Sequence, residues 1–575
     1  MNEAKVEETY DADLIVVGAG AGGMAAALTA ALEGLKVILC EASSQVGGTT
    51  ATSAGTLWIP GNNEGKKRGY SDSEGKAKQY LDSLLGEDDE RGLRDVFLST
   101  ANRAIEYLEK KSSLQFSSSG KHPDYLNRPG AAIEGRALSA VEFDGRKLGR
   151  DFRRIRAPLP DFMVLGGMMV NKADIKALVN RYHSIPDFLH GLRLVTRYGI
   201  DRLRYHRGTR LVMGNALVGR MFYSLTRAGV NIRFNYSLNE LLTTDSGKVI
   251  GGVFINDKKE KTILKARYGV VLATGGLANH SSLRKKLAQN NMDFPSLVFE
   301  GNTGDGLSLA LKTNARLEQH ENSFFWQPVS KVIGMKGGDR LFPHLYLDRT
   351  KPGLIAVDSS GVRFTNEADS YHHFVANMLE RNKKTRAVPC YFICDANFIY
   401  KYGLGVIPPG TKNLKKYETD GYVFSAATPE SLAEKLGIDP AGLCASINKN
   451  NQYAEQGNDL DFGKGDTELN RFNGDQENRP NPCLGKILGP GFYALPVFPA
   501  DAASSTGLAV NSHGNVLDNN NVPITGLYAC GNDMASIMKG VYPGPGITIG
   551  PAIVFGYIIG EFVGSQKNHS KSVKN

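Results

Sequence analysis

Three glycines near the start of the chain have the types and spacing that bind a dinucleotide. Gly18, Gly20 and Gly23 form a GxGxxG pattern, and Glu41 follows about 20 residues later. In this pattern the first glycine permits a tight turn, the second lets the backbone approach a pyrophosphate, and the third lets a helix pack on a strand. An acidic residue at this distance can bind an adenosine ribose.

The elements around these residues support the same interpretation. Residues 13–17 have the apolar pattern of a buried strand, residues 36–40 that of a second strand, and an alanine-rich helix is expected between them. The N-terminus of such a helix supplies positive potential for a phosphate group. Strand, glycines, helix, strand and acid in this order predict a nucleotide-binding unit rather than a merely structural turn.

Further small-residue segments favour a flavin over a nicotinamide. One runs from Gly47 to Gly55, where a short loop would normally suffice. Far downstream, a strand-then-glycine pattern recurs at 526–532 and leads into the glycine-rich stretch 544–550. A helix beginning there would direct its positive end towards a flavin ring, which gathers negative charge on reduction.

With these segments the chain resembles the FAD-dependent dehydrogenases related to fumarate reductase and succinate dehydrogenase flavoproteins. The resemblance includes the Ala-Thr-Gly-Gly end of a strand at 268–276, the Thr-Gly-Asp-Gly stretch 303–306 and residues 363–367. It implies FAD, with Asp305 on the cofactor. Only one dinucleotide fingerprint is visible, so NAD is not supported. Covalent-flavin relatives carry a histidine before the small-residue stretch and none lies between Glu41 and Gly55, so the FAD is expected to be non-covalent.

The predicted cofactor-binding residues come from all of these segments. They are Gly18, Gly20, Ala21, Gly22, Gly23, Glu41, Ala42, Gly47, Gly48, Thr49, Thr50, Ser53, Ala54, Gly55, Thr274, Gly275, Asp305, Gly531, Asn532, Ile547 and Thr548.

A dicarboxylate substrate is not expected. The fumarate and succinate members hold their substrate with a His-Pro-Thr motif and with an arginine in a His-Gly-x-Asn-Arg-Leu segment. The corresponding stretches here are 325–329 and 539–546, and they contain neither a histidine nor an arginine.

A tyrosine motif takes the place of those residues. Tyr542-Pro543-Gly544-Pro545-Gly546 is similar to the Tyr-x-Gly-x-Gly segment of the 3-ketosteroid Δ1-dehydrogenases. The resemblance implies that the Tyr542 hydroxyl and the Gly546 N–H hold the C3 carbonyl oxygen of the substrate. Removing a proton next to a ketone builds charge on that oxygen, and each preorganised donor there can contribute about 3 kcal/mol or more. A glycine also lets the substrate come close to the amide.

Two further tyrosines match the same family. Residues 366–371 resemble its Asn-Glu-x-x-x-Tyr motif, which makes Tyr371 the tyrosinate that takes the C2 proton. A free phenol has a pKa of about 10 and needs help near neutrality. Residues 124–130 fit an Asp-Tyr-x-x-x-Pro-Gly stretch, which makes Tyr125 a hydrogen-bonded assistant and candidate proton relay. Asn127 replaces a common acidic residue, so the substrate contacts of this loop are expected to differ.

The predicted reaction is therefore a trans elimination, in which hydride leaves C1 for the flavin N5 and a 1-ene-3-ketone forms. Three alternatives stay open. They are a 3-ketosteroid Δ4-(5α)-dehydrogenase, another FAD-dependent alkene-forming or enoate-reducing enzyme, and a flavin-binding electron-transfer module without a steroid site. The electron acceptor and the oligomeric state are not identified by the sequence.

The length of 575 residues exceeds the size of a single hydrophobic core, so two domains are expected. We predict an α/β fold with a discontinuous, Rossmann-like FAD-binding domain of the GR2 type at 1–327 and 504–575. A smaller α+β catalytic or capping domain, at 328–503, would close over the flavin. Helical periodicity is clear at 95–110, 429–436 and 443–455.

Composition bears on partners and location. The six cysteines form no CxxC pair, which argues against a metal site or a disulfide framework and favours a reducing cytoplasm. The net charge of +9 is not clustered into a basic-aromatic module, so nucleic-acid binding is not expected. The acidic N-terminus does not read as a signal peptide.

One basic segment needs separate consideration. At 188–210, arginines alternate with apolar residues, a pattern compatible with peripheral contact with an anionic membrane. The alternative is a surface helix that covers the core and exposes its arginines.

Overall fold

A computed structural model describes residues 10–180, 184–288, 292–334 and 338–572. Its first large sheet has six strands, and all neighbouring pairs are parallel except the last. Their order is Asn231–Phe234, Val37–Glu41, Leu14–Val17, Val270–Leu272, Pro523–Ala529 and Asn515–Leu517. Every residue of Leu14–Val17 is apolar and buried, as expected for a parallel strand with both faces covered. The two ends of the chain therefore share one sheet.

Two long helices pack closely beside this sheet. They are Ala21–Leu32 and Ile549–Ser572. A Cβ atom on Gly556 would lie 2.5 Å from the carbonyl oxygen of Gly22, so only glycine fits at this helix crossing. The late glycine-rich segment thus leads into a helix that completes the nucleotide-binding unit.

A second six-stranded sheet, with antiparallel pairing throughout, is built by residues 324–504. Its strands are Arg340–Pro343, Phe324–Val332, Phe492–Ser504, Cys390–Asp395 and Leu354–Val357, with Phe424–Ala426 paired to Phe492–Ser504. The helix Tyr371–Asn382 packs on Phe324–Val332. The boundaries predicted at 327/328 and 503/504 fall inside strands of this sheet, because the chain enters and leaves it along two paired strands.

Smaller sheets surround these two. The three-stranded ones are Tyr236–Thr243 with Val249–Asn256 and Lys261–Lys265, and Thr56–Trp58 with Ala137–Ala140 and Phe116–Ser118. The two-stranded ones are Leu317–Glu318 with Gly507–Leu508, Phe143–Asp144 with Arg210–Leu211, and Met163–Val164 with Met168–Met169.

The helices expected from periodicity are present as Leu93–Lys111, Pro429–Leu436 and Pro440–Gln456. The remaining α-helices are Gly48–Thr52, Asn63–Lys67, Glu74–Leu85, Lys172–Asn180, Ile185–Arg202, Met213–Arg227, Leu283–Leu287, Asp305–Leu311, Ala396–Tyr402, Lys415–Thr419 and Glu468–Asn473. Within the described ranges, no helix combines the length and apolar character needed to cross a bilayer.

Candidate active site

A cavity of about 360 Å³ connects the carboxyl edge of the first sheet with the second sheet. All but three of the predicted cofactor-binding residues line it. Those in the lining are Gly18, Gly20, Ala21, Gly22, Glu41, Ala42, Gly48, Thr49, Thr50, Ser53, Ala54, Gly55, Thr274, Gly275, Asp305, Gly531, Asn532 and Thr548. We call the stretches 18–23 and 47–55 the glycine cradle.

The other three predicted residues do not line the cavity but hold neighbouring backbone segments in place. A Cβ atom on Gly23 would lie 2.0 Å from the carbonyl oxygen of Gly18, so Gly23 lets the helix pack on the turn. Gly47 has a φ of 114° and donates its N–H to the carbonyl of Ala19 at 2.8 Å. Ile547 is fully buried just before the helix Ile549–Ser572.

Gly18 and Gly20 are glycines for different reasons. Gly18 has a φ of 102°, and a Cβ atom there would lie 2.2 Å from the carbonyl oxygen of Ala273. A Cβ atom on Gly20 would meet no protein atom within 4 Å, and Gly20 lines the cavity. Packing within the protein therefore requires a glycine at position 18. At position 20, glycine instead leaves room for a ligand to lie against the backbone.

Glu41 ends the strand Val37–Glu41 beside this turn. Its carboxylate accepts hydrogen bonds from the backbone N–H groups of Ala19 and Ser43, each at 2.9 Å. A carboxylate has further lone pairs, which can accept bonds from ribose hydroxyls. Its position fits the role that the sequence suggested.

The three predicted catalytic tyrosines lie together in the lining of the same cavity. The Tyr125 hydroxyl donates to the Tyr371 hydroxyl oxygen at 3.3 Å. The ring centroid of Tyr542 lies 5.6 Å from that of Tyr125 and 5.2 Å from that of Tyr371. All three residues line the cavity and are largely buried. We call these three residues the tyrosine cluster.

Backbone contacts hold two members of the cluster side by side. The N–H of Tyr125 and the hydroxyl of Tyr80 both donate to the carbonyl of Pro543, each at 2.7 Å. Directly before Tyr125, the buried carboxylate of Asp124 pairs with Arg136 at 2.6 Å. The loop of Tyr125 is therefore tied to the Tyr542–Gly546 turn.

Tyr371 is the first residue of the helix Tyr371–Asn382. The Ser370 side chain caps that helix by accepting from the N–H of His373 at 3.1 Å. Nearby Glu367 is fully buried and forms ion pairs with Arg363 at 2.9 Å and with Lys464 at 3.2 Å. Burial raises its pKa, but these two cations outweigh burial and lower the pKa to about 2. Burial lowers the pKa of His372 to about 3, and its Nδ1 accepts from the N–H of Trp326 at 3.1 Å.

Gly546 presents its backbone at the cavity wall. It has a φ of 89°, and a Cβ atom would lie 2.4 Å from the carbonyl oxygen of Thr56. In the described part of the chain its N–H has no acceptor, while its carbonyl accepts from the N–H of Trp58 at 3.2 Å. The amide of Gly546 and the hydroxyl of Tyr542 can therefore serve as two donors from one turn.

Burial governs the acidity of the cluster. It raises the pKa of Tyr125, Tyr371 and Tyr542 above the ordinary phenol value. For Tyr371, the neighbouring Tyr346 adds to this rise. The hydrogen bonds with Tyr125 and Tyr542 and the charge of Arg349 offset only part of it, so the pKa of Tyr371 stays raised. Tyr371 is therefore a phenol whose proton affinity depends on its neighbours.

Several residues of the cavity wall were not predicted from the sequence. Phe325 and Gln327 line it from one strand, and strand alternation in 324–332 could have placed both on one face. Tyr346 also lines the cavity, and its buried hydroxyl has no hydrogen-bond partner among the described residues. No spacing signal in the sequence singles out Tyr346. Apolar residues complete the wall: Leu159, Phe162, Pro343 and Leu345.

The cavity wall carries little positive charge. Among its described lining residues there is no lysine or arginine, and His122 is the lining histidine. A substrate carboxylate would lose its hydration without gaining a cationic partner. The geometry thus favours an uncharged ketone over a dicarboxylate.

Comparison with known proteins shows the family to which the chain belongs. Residues 13–549 match the family model described as FAD binding domain. The chain is 36% identical to 4-oxocyclohex-2-ene-1-carboxylate 5-dehydrogenase from Sinomonas cyclohexanicum, over 97% of this chain and 95% of that protein. It is 32% identical to 3-oxosteroid 1-dehydrogenase from Mycolicibacterium smegmatis, over 95% and 96% of the two chains.

A solved structure is similar over nearly the whole fold. It is a 3-ketosteroid Δ1-dehydrogenase from Sterolibacterium denitrificans in complex with 1,4-androstadiene-3,17-dione. The TM-score is 0.89 at 32% identity, covering 96% of this chain and 99% of that one.

Proposed function

The chain belongs to the FAD binding domain family and is an FAD-dependent oxidoreductase acting on CH–CH groups, and we propose that it is a 3-ketosteroid Δ1-dehydrogenase. The observation that carries this proposal is the convergence of the tyrosine cluster and the Gly546 amide on the cavity that the glycine cradle also lines. The product would be a 1-ene-3-ketone, formed in steroid degradation.

The residues present fit a non-covalent FAD. The open space at Gly20 suits a pyrophosphate, and the carboxylate of Glu41 suits a ribose. When bound, FAD supplies the acceptor for a hydride from the substrate. We further propose the GR2-type Rossmann-like classification for the first sheet and a capping role for residues 328–503.

The ketone is polarised by the Tyr542–Gly546 turn. The Tyr542 hydroxyl and the Gly546 N–H would both donate to the C3 oxygen. Their donors are preorganised because the turn is held against Thr56, Trp58 and Tyr125. Negative charge grows on this oxygen when the neighbouring C–H bond breaks, so these hydrogen bonds strengthen in the transition state.

Tyr371 is the proposed base. Its phenolate oxygen would take the C2 proton, while the electron pair of the C2–H bond forms the new double bond as hydride leaves C1. Tyr125 donates to the Tyr371 oxygen and so stabilises the deprotonated form. The same hydrogen bond offers the captured proton a route away from the site.

The apolar wall of Leu159, Phe162, Phe325 and Leu345 supports a large hydrophobic ketone. A small oxocyclohexane carboxylate would carry a charge for which the described wall has no arginine or lysine. Because the chain is similar to the Sinomonas protein, such a carboxylate is nevertheless the rival substrate to test. The Δ4-(5α) dehydrogenation of a steroid is the rival reaction.

Turnover with identified products tests this proposal. FAD-loaded protein is mixed with an acceptor dye and either androst-4-ene-3,17-dione, a saturated 5α-ketosteroid or 4-oxocyclohex-2-ene-1-carboxylate, and the product is identified by mass and NMR. We expect a 1,4-dien-3-one from the first substrate. Dye reduction only with the 5α-ketosteroid, giving a 4-ene, would establish the Δ4 reaction instead, and turnover of the carboxylate alone would remove the steroid assignment.

We also propose that the segment 188–210 rests on an anionic membrane surface. In the helix Ile185–Arg202 an apolar stripe faces solvent, not the core: Ile185, Phe188, Leu189, Leu192 and Ile200 are exposed, and Leu203 extends it. Exposed Arg193, Arg202 and Arg204 lie beside it. An apolar face next to arginines is complementary to anionic lipid headgroups over acyl chains.

Vesicle sedimentation tests the membrane proposal. Binding is expected with phosphatidylserine-containing vesicles, should weaken at high salt, and should be lost in a Leu189→Glu/Leu192→Glu variant. Ile263→Glu changes an exposed apolar residue on another surface and should bind normally. The proposal would be contradicted if the unaltered protein did not bind vesicles but formed a dimer, and if the double variant abolished that dimer.

A further inference from the structure

Arg349 is a buried cation next to the tyrosine cluster. It is fully buried and lies one side chain away from the cavity. Its guanidinium carbon lies 5.2 Å from the ring centroid of Tyr346, and that centroid lies 5.8 Å from the centroid of Tyr371. An arginine remains charged even when buried.

The charge of Arg349 has no contacting carboxylate in the described part of the chain. Its Nε donates to the carbonyl of His344 at 3.0 Å, and its Nη1 donates to the carbonyls of Glu367 and Asp369 at 2.5 and 2.6 Å. Its Nη2 is buried and has no hydrogen-bond partner among the residues that the structure describes. A buried guanidinium whose hydrogen bonds go only to carbonyl groups is costly, so a further negative charge nearby would stabilise it.

Two acidic side chains, Asp348 and Asp369, act on Arg349 through space, but their hydrogen bonds are made to groups other than its guanidinium. Asp348 pairs with His344 at 2.6 Å and accepts from the N–H of Gly405 at 3.0 Å. Asp369 accepts from Asn470 at 3.2 Å, and burial raises its pKa. Neither acid contacts the guanidinium of Arg349.

The position of Arg349 is held firmly. Its loop is anchored by His344, which contacts Asp348 on one side and, at 2.9 Å, Ser330 on the other. The two carbonyls bound by Nη1 lie immediately before the helix that begins with Tyr371. Arg349 is therefore hydrogen-bonded to the backbone that leads into the proposed base.

We propose that Arg349 is a positioning residue whose charge stabilises the deprotonated form of Tyr371. The inference rests on the proposed role of Tyr371 as the base. Arg349 acts through space and through the backbone before the helix, and it contacts neither substrate nor cofactor. The tyrosinate would then add a negative charge on the side of Arg349 that faces the cavity.

Several titratable or charged groups surround Tyr371. From other elements these are Tyr125, Tyr346, Tyr542 and Arg349; on its own segment they are Asp369, His372 and His373. The phenols are neutral at neutral pH, and burial keeps His372 neutral. Arg349 is one of the groups that lower the pKa of Tyr371.

A titration without substrate separates this inference from the proposed reaction. Residue 371 is replaced by 3-fluorotyrosine in the FAD-loaded protein, and its ionisation is followed by ¹⁹F NMR. Arg349→Gln should raise the titration midpoint by about one unit or more, a tenfold rise in proton affinity. Arg349→Lys keeps a charge and should raise it less. Lys351→Gln removes a cation from the same loop, whose Nζ instead contacts the carbonyl of Asn473, and should leave it unchanged.

The inference is overturned if Arg349→Gln holds FAD and folds normally but leaves the midpoint unchanged. If that variant does not fold, fluorotyrosine placed in turn at 371 and 542 of the otherwise unaltered protein decides the matter. Residue 371 should titrate first, and equal midpoints or the reverse order would refute the role of Arg349. Failure of the proposed reaction would appear separately, as a lack of turnover in the unaltered enzyme.

Discussion

The glycine cradle and the tyrosine cluster face the same cavity but are built in opposite ways. The cradle depends on glycines that carry no side chain: at Gly18 and Gly23 a Cβ atom would collide with backbone oxygens. The cluster works because hydroxyl groups are present, and its rings pack as ordinary buried aromatics. A change in the cradle is therefore a change in backbone geometry, whereas a Tyr→Phe change in the cluster removes one polar atom.

This difference separates binding from chemistry. Damage to the cradle should remove the cofactor together with the activity. Damage to the cluster should leave a yellow, folded protein with altered kinetics. Each variant below tests whether the two regions are separable in this sense.

The largest effect is expected for Gly18→Ala. Its positive φ is strained for alanine, and the new methyl group would lie 2.2 Å from the carbonyl oxygen of Ala273. We expect a loss of about 3 kcal/mol or more in the free energy of unfolding, together with the loss of bound FAD. Flavin absorbance after gel filtration and thermal unfolding would measure both effects.

Gly34→Ala is the matched control for Gly18→Ala. Gly34 also has a positive φ, 81°, but a Cβ atom there meets nothing within 4 Å. The Gly34→Ala variant should lose only about 1 kcal/mol in the free energy of unfolding and should keep its FAD. Full FAD loading of Gly18→Ala would show that the cradle tolerates a side chain at its tightest turn.

Tyr371→Phe should have the next largest effect, and on chemistry alone. Removing a general base lowers kcat by about 10²–10⁴. The ring still fills its place between Tyr125 and Tyr542, so FAD content should not change. Steady-state turnover and flavin absorbance test this, with Tyr400→Phe, a half-exposed tyrosine elsewhere, as control. Normal turnover by Tyr371→Phe would place the base at another residue.

Tyr542→Phe should remove one of the two donors to the ketone oxygen. The kcat for a 3-ketosteroid is expected to fall by about 10²–10³. Binding of a steroid without a C3 oxygen, followed through the flavin spectrum, should be unaffected because only the hydroxyl is lost. Equal weakening for both ligands would mean that Tyr542 acts as an apolar wall.

The same contrast explains how much could be predicted from the sequence. The cradle depends on glycine spacing within short stretches, so the strands Leu14–Val17 and Val37–Glu41 were expected almost to the residue. The late glycine-rich segment was likewise assigned to the same unit as the first strand. Local backbone requirements leave a signature in local sequence.

The cluster leaves no such signature. Tyr125 and Tyr371 are 246 residues apart, and they were identified only through a family resemblance. Tyr346 and Arg349 were missed because their loop is placed by long-range contacts, such as that between His344 and Ser330, which no spacing encodes. Helical periodicity predicts an apolar stripe on Ile185–Arg202, but it does not say whether that stripe faces the core or the solvent.

Tyr125→Phe should have the smallest effect, and it tests how the cluster works as a unit. Its hydrogen bond to the Tyr371 oxygen is long, at 3.3 Å, so losing it should raise the pKa of Tyr371 by about one unit or less. The base is active when deprotonated, so the rising limb of kcat/KM moves to higher pH. Activity is then lost up to about tenfold on that limb and recovered as pH increases.

The pH profile of Tyr125→Phe distinguishes an electronic role from a relay role. If Tyr125 only lowers the pKa of Tyr371, activity at high pH should equal that of the unaltered enzyme. If it also carries the proton away, a deficit should persist at every pH, because phenylalanine cannot pass a proton on. A profile identical to the original would separate Tyr125 from the chemistry. The tyrosine cluster would then reduce to Tyr371 and the Tyr542–Gly546 turn.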